Sequence, residues 1–131
     1  MASREMQGTR GTFNVHPAKL GAVLAFIGVG LGAFGAHSLE DVLTPERLGT
    51  FETGVRYQMY HALALLAIGA LSVKAQRAAI FIFIGSLIFS GSLYILVLSD
   101  ISWLGAITPI GGVLQLIGWA LLFVSLGKRN A

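Results

Sequence analysis

AAIFIFIGSLIFSGSLYILVLS, residues Ala78 to Ser99, runs for 22 residues without an Asp, Glu, Lys or Arg. A bilayer's hydrocarbon core of about 30 Å needs roughly 17 to 25 apolar residues per helical crossing, so this stretch has the length of one span. Three further uncharged stretches surround it, at Leu20 to Leu39, Tyr57 to Val73 and Ile101 to Gly127. Each meets or nearly meets the same length. The chain is therefore predicted to be all-α, an integral membrane four-helix bundle with a short amphipathic interfacial helix between spans one and two.

Composition agrees. With 55% hydrophobic and 11% charged residues and a mean hydropathy of +0.77, a 13.9 kDa chain has more apolar surface than a small soluble domain buries. Lipid must cover the remainder, and little chain is left for a second domain. The net charge of +3 does not mark a nucleic-acid binder, because the basic residues are not clustered with interleaved aromatics. Arg4, Arg10 and Lys19 precede span one, Lys74 and Arg77 separate spans two and three, and Lys128 and Arg129 follow span four. The opposite side holds Arg47 and Arg56 beside Glu40, Asp41, Glu46, Glu52 and Asp100. Lys and Arg near span ends are retained on the cytoplasmic side, so both termini are predicted to be cytoplasmic in a multi-pass protein. Without cysteine, disulfides and thiolate chemistry are excluded. The apolar run ending in Ala33-Phe34-Gly35-Ala36 imitates a signal peptide, but it is long enough to span, and the later spans need a partner.

Residues 1–15 are polar, lack apolar periodicity and read as a mobile cytoplasmic tail ahead of a membrane domain over 16–131. The spans are placed at about 17–37, 55–73, 78–98 and 109–127. Pro17 suits the first turn of span one. Small residues follow on one face of that helix, Gly21, Ala25, Gly28 and Gly32, as a surface that lets another helix approach closely. Between spans one and two, Thr44 is a cap, Pro45 a first helical residue and Glu46 a favourable charge in the first turn. Leu48, Phe51, Val55 and Met59 then share one stripe, as in an amphipathic helix that lies on the interface and bends or runs into span two. Pro109, with Thr108 as its cap, starts span four, leaving Ile101 to Ile107 as an interfacial loop. Tyr57, Tyr60, Tyr94 and Trp103 form an expected outer aromatic belt, with Trp119 nearer the inner side.

Polar groups that lipid penalises gather toward the outer ends: His37, Tyr57, Gln58, His61, Ser90, Tyr94 and Thr108, with Gln115 deeper. An ionisable group inside a span normally faces the protein interior or a watery cavity, which makes His61 the leading candidate. Tyr57 and His61 are four residues apart and meet on one helix face, and His37 is expected to approach them. Two readings follow: a set of interhelical hydrogen bonds, or a pocket for a small ligand, lipid or ion lined by His37, Tyr57, His61, Tyr94 and Gln115. Two histidines without a spaced third ligand make an incomplete zinc site. No Ser–His pair has an acid at motif spacing, and the glycines of Gly28-Val29-Gly30-Leu31-Gly32 do not follow a strand. No catalytic residue, metal or cofactor is assigned, and an enzyme is not expected.

Four motifs in order, Gly32-Ala33-Phe34-Gly35-Ala36-His37, Tyr57-Gln58-Met59-Tyr60-His61-Ala62-Leu63, Phe89-Ser90-Gly91-Ser92-Leu93-Tyr94 and Thr108-Pro109-Ile110-Gly111-Gly112, resemble the small membrane family called domain of unknown function 423. The eukaryotic relatives of transmembrane protein 256 look similar. The resemblance covers roughly Lys19 to Gly127. It implies a four-helix protein of the bacterial inner membrane and no established activity. The expected role is that of a small structural or interaction protein, with the lipid bilayer and either a second copy or another membrane protein as partners, and no nucleic acid. The alternative is a binding or transport protein with a polar pocket under its outer face.

Overall fold

A computed structural model describes residues 16–71 and 74–129 of the 131. The expected tail over residues 1–15 lies outside the described residues, as does Val73 at the end of the second predicted span. Four long helices make up the described chain: α1 (Pro17–His37), α2 (Pro45–Ala70), α3 (Gln76–Ser99) and α4 (Thr108–Arg129). A short 3-10 turn, Ser102–Ala106, precedes α4, and no strand is present among the described residues.

The helix starts follow from local chemistry. His16 caps α1, its ring Nδ1 accepting from the Ala18 amide at 3.2 Å, and Pro17 fills the first position, where a missing N–H is no loss. Thr44 caps α2 through its hydroxyl, which accepts from the Arg47 amide at 3.2 Å, followed by Pro45 and then Glu46 in the first turn. The amphipathic segment expected between spans one and two is the start of α2 itself. No bend separates the parts into two helices: α2 runs unbroken for 26 residues, about 39 Å at 1.5 Å per residue. Asp100 ends α3 in the left-handed region at φ 63°, the single positive φ among the described residues. There Arg47 holds the turn, ion-paired with the Asp100 carboxylate and donating to the Val97 carbonyl at 3.3 Å.

Successive helices are antiparallel neighbours. On α1, Gly21 lies beside Ala62 and Leu66 of α2, Gly28 beside Met59, and Gly35 beside Phe51. Serial neighbours pack together, α1 on α2, α2 on α3 and α3 on α4, whereas α1 touches α3 only slightly and α4 makes no backbone approach to α1 or α2. The four helices thus form an open row rather than a closed ring. One apolar core, built on Leu24, Ala62, Leu65, Ile68, Ala79 and Ile82, joins α1, α2 and α3 and reaches Leu122 of α4. A second, smaller one joins Leu39, Phe51 and Val97 near the Arg47–Asp100 pair.

Among the described residues, three helical segments have the length and hydropathy of a membrane crossing: Pro17–His37, Gln76–Ser99 and Ser102–Lys128. The α2 helix is the longest and is not among them. Its hydropathy is lowered by Arg56, Gln58 and His61, of which Gln58 and His61 are buried against other helices. Its outward stripe carries Tyr60 and Leu63, 54% and 56% exposed.

The tightest crossing joins α3 to α4. A methyl on Gly111 would overlap the backbone of Phe89 and sit 2.8 Å from the Gly85 carbonyl oxygen, so only glycine permits this approach. Gly111→Ala is expected to lower unfolding free energy by about 1–3 kcal/mol, as overpacking does. Gly30, with nothing within 4 Å of an added methyl, is the control. Gly30→Ala should be neutral or slightly stabilising, and denaturant unfolding of the two variants in mixed micelles checks the contrast.

Candidate functional site

The polar side chains singled out from sequence fall into connected pairs at the helix interfaces. Gln58 of α2, 4% exposed, bridges two neighbours: its Nε2 donates to the Leu24 carbonyl of α1 at 2.8 Å, and its Oε1 accepts from the Tyr94 hydroxyl of α3 at 2.6 Å. One turn earlier on α2, Gly54 lets the Tyr94 ring lie against the backbone, and the Ser90 hydroxyl donates to the Gly54 carbonyl at 2.7 Å. The face that Ser86, Ser90 and Tyr94 share on α3 is turned to this interface and the next. Ser86 donates to the Ile82 carbonyl at 2.7 Å and accepts from Gln115 of α4 at 3.4 Å. At the beginning of α4, the hydroxyls of Ser92 and Thr108 lie 2.6 Å apart.

His61 is buried where α4 reaches across toward α2. The indole Nε1 of Trp119 lies 3.1 Å from His61 Nε2, and His61 Nδ1 lies 2.7 Å from the Tyr57 carbonyl oxygen. Indole N–H only donates, so Nε2 must accept, and the ring proton must sit on Nδ1, where it donates to the carbonyl. These partners select the neutral Nδ1–H tautomer. Both ring nitrogens are engaged, leaving neither for a haem iron or a metal. The surrounding surface is aromatic: the Trp119 ring meets the His61 ring edge-on at 5.9 Å, and Tyr57 packs on Phe89 at 4.9 Å and on Tyr60 at 5.7 Å.

The five residues proposed to line a pocket are thus distributed over four places. Tyr57 and His61 do share one face, but the Tyr57 side chain is partly exposed while His61 is buried. Tyr94 belongs to the Gln58 bridge, and Gln115 to the α3–α4 contact. His37 is exposed at the end of α1. Because Gly21 lies beside Ala62 and Gly28 beside Met59, His61 is level with the Leu24 turn of α1. His37 is therefore about 20 Å further along the helix axis and does not join it.

On α1, Gly21 and Gly28 are buried against α2, Ala25 packs on the main core, and Gly32 faces Val55. Their face is occupied within the chain. A side chain on Gly21 would place its first carbon 2.5 Å from the Ala62 carbonyl oxygen.

Gln58 is the residue through which α1, α2 and α3 are joined, and its sequence signal is a polar side chain within a span beside Tyr57. Trp119, expected nearer the inner side, lies at the depth of His61. The reason is geometric: α2 begins well outside the level at which α4 begins, so residues far apart in helix position come side by side. Among the described residues, no buried side-chain nitrogen or oxygen lacks a hydrogen-bond partner.

These features define an all-α membrane protein whose polar interior is hydrogen-bonded helix to helix. Residues 31–112 match the family model described as "Protein of unknown function (DUF423)", and the chain belongs to that family. It is 50% identical over 113 residues to a UPF0382 membrane protein of Staphylococcus aureus (strain bovine RF122 / ET3-1), covering 83% of this chain and 93% of the relative. To the UPF0382 membrane protein YwdK of Bacillus subtilis (strain 168) it is 47% identical over 115 residues, covering 83% and 94%. No solved structure matches the chain.

The His61–Trp119 bond is expected to contribute about 0.6–2 kcal/mol, the range for interhelical side-chain bonds in membranes. A double-mutant cycle with His61→Leu and Trp119→Phe, followed by reversible unfolding in mixed micelles, should return a coupling energy in that range.

Proposed function

We propose that this protein is a small structural or interaction protein of the bacterial cytoplasmic, or inner, membrane, crossing it four times with both termini inside. The observation that carries this reading is that, among the described residues, every buried polar side-chain atom has a partner within the protein. A pocket built for a small polar ligand keeps donors or acceptors turned toward the vacancy, whereas here Gln58, His61, Tyr94 and Gln115 bond to the protein itself. The pocket reading also calls for His37 beside His61, and the fold separates them. The apolar faces of α1, α3 and α4 meet lipid or a partner. A second copy or another membrane protein is the partner class that such faces take, since packing of shape against shape drives association in lipid.

The fourth crossing rests on α2. Gln58 and His61 are turned inward, and past the exposed Arg56 its outward stripe continues with Tyr60 and Leu63, so its overall hydropathy overstates the polarity that lipid would meet. Charge placement supports the orientation: Lys19, Lys74, Arg77 and Lys128 gather at one end of the row, and the described carboxylates gather toward the other.

The native chain has no cysteine, so single cysteines report topology directly. At Asp41 and Ser102 they should react with an impermeant maleimide in intact spheroplasts, and at Lys74 and Lys128 only after lysis. Labelling of positions 41 and 74 from the same side would remove the α2 crossing. Crosslinking in native membranes should trap species heavier than the 13.9 kDa monomer; isolated monomers alone would overturn the interaction role.

A further inference from the structure

A cleft of about 390 Å³ opens at the basic end of the row, between the starts of α1 and α3 and the end of α2. Its polar lining is His16, Lys74 and Gln76, over an apolar floor that includes Pro17, Ile68 and Ala75. This end is electrostatically one-sided. The described charges here are Lys19, Lys74, Arg77 and Lys128, whereas all five described carboxylates, Glu40, Asp41, Glu46, Glu52 and Asp100, belong to the opposite half of the molecule. No described carboxylate is therefore near enough to neutralise Lys74.

We propose that this cleft is a binding site for a phosphate group, with Lys74 as its principal cation. His16 Nδ1 accepts from the Ala18 amide, so in the neutral ring the proton sits on Nε2, leaving that nitrogen as a donor. Gln76 adds a side-chain amide. The start of α3 has no side-chain cap, and its positive dipole end reinforces the same potential. The apolar floor suits the glycerol and first methylenes of a lipid. Basic pockets between helices on the cytoplasmic side are places where anionic headgroups are held. Soluble phosphate presents the same oxygens. The lipid source rests on the membrane topology proposed above, but binding measured in detergent does not depend on it, so cysteine labelling and lipid binding fail independently.

The test uses the full chain in a neutral detergent, with its melting temperature followed as phosphatidylglycerol, phosphatidylcholine or inorganic phosphate is added. Phosphatidylglycerol should bind and raise the melting temperature, and phosphatidylcholine, whose phosphate carries its own cation, should be weaker. Lys74→Gln should weaken phosphatidylglycerol binding about fivefold, and Lys74→Arg should restore it, whereas Lys128→Gln, which removes the same charge outside the cleft, should change it less than about twofold. A response to inorganic phosphate that is lost in Lys74→Gln, with none to phosphatidylglycerol, would support the phosphate site and assign it a soluble ligand. Equal losses in Lys74→Gln and Lys128→Gln would reveal only diffuse surface potential and overturn the site. So would a folded protein that responds to neither phosphatidylglycerol nor phosphate.

Discussion

A polar side chain inside a membrane protein finds no water to bond with, so each one must be satisfied by another part of the protein. The rest of this structure depends on how α2 meets that constraint. It has the lowest hydropathy of the four helices, yet Gln58 turns to α1 and α3, and His61 turns to α4. With neighbours on these sides, α2 leaves Tyr60 and Leu63 outward. An isolated α2 would leave an amide and an imidazole without their partners. Within the row it exposes neither, so the other three helices supply the conditions under which α2 is stable.

Hydrogen bonds of this kind require short separations between helices, and glycine provides them. Gly21 brings α1 against the α2 backbone, Gly54 admits the Tyr94 ring, and Gly111 brings α4 against α3. Dispersion and hydrogen bonding then act together, which matters in lipid because the hydrophobic effect does not distinguish helix from hydrocarbon. The row remains open because α4 reaches α2 through side chains rather than through backbone contact. At that point the Trp119 indole bridges the gap.

Much of this was legible in the sequence, and the remainder shows where linear reasoning stops. Pro17 and the Thr44-Pro45-Glu46 run identify helix starts because capping is local chemistry. The shared face of Ser86, Ser90 and Tyr94 follows from helical periodicity, which also needs only one segment. Which helix covers that face depends on lateral order, and periodicity carries no information about it. The same limit applies to Gly21 and Gly28, whose face is visible in sequence although its occupant, α2, is not. Predicted outer boundaries put His37 and His61 at similar depths, but α2 begins so far out that His61 lies about 20 Å from the end of α1. Position along span four places Trp119 nearer the inner side, and its bond to His61 arises only when the two helices are set at their relative depths.

Internal satisfaction of the buried polar groups is most directly tested at His61, where two partners assign a single protonation form. Solid-state NMR of histidine-¹⁵N protein in bilayers at neutral pH, with His16 and His37 replaced to leave one signal set, reads each ring nitrogen separately. The structure predicts a protonated Nδ1 and an unprotonated Nε2, with the Nε2 resonance shifting when Trp119 is replaced by Phe. A protonated Nε2, or an Nε2 resonance indifferent to Trp119→Phe, would contradict it.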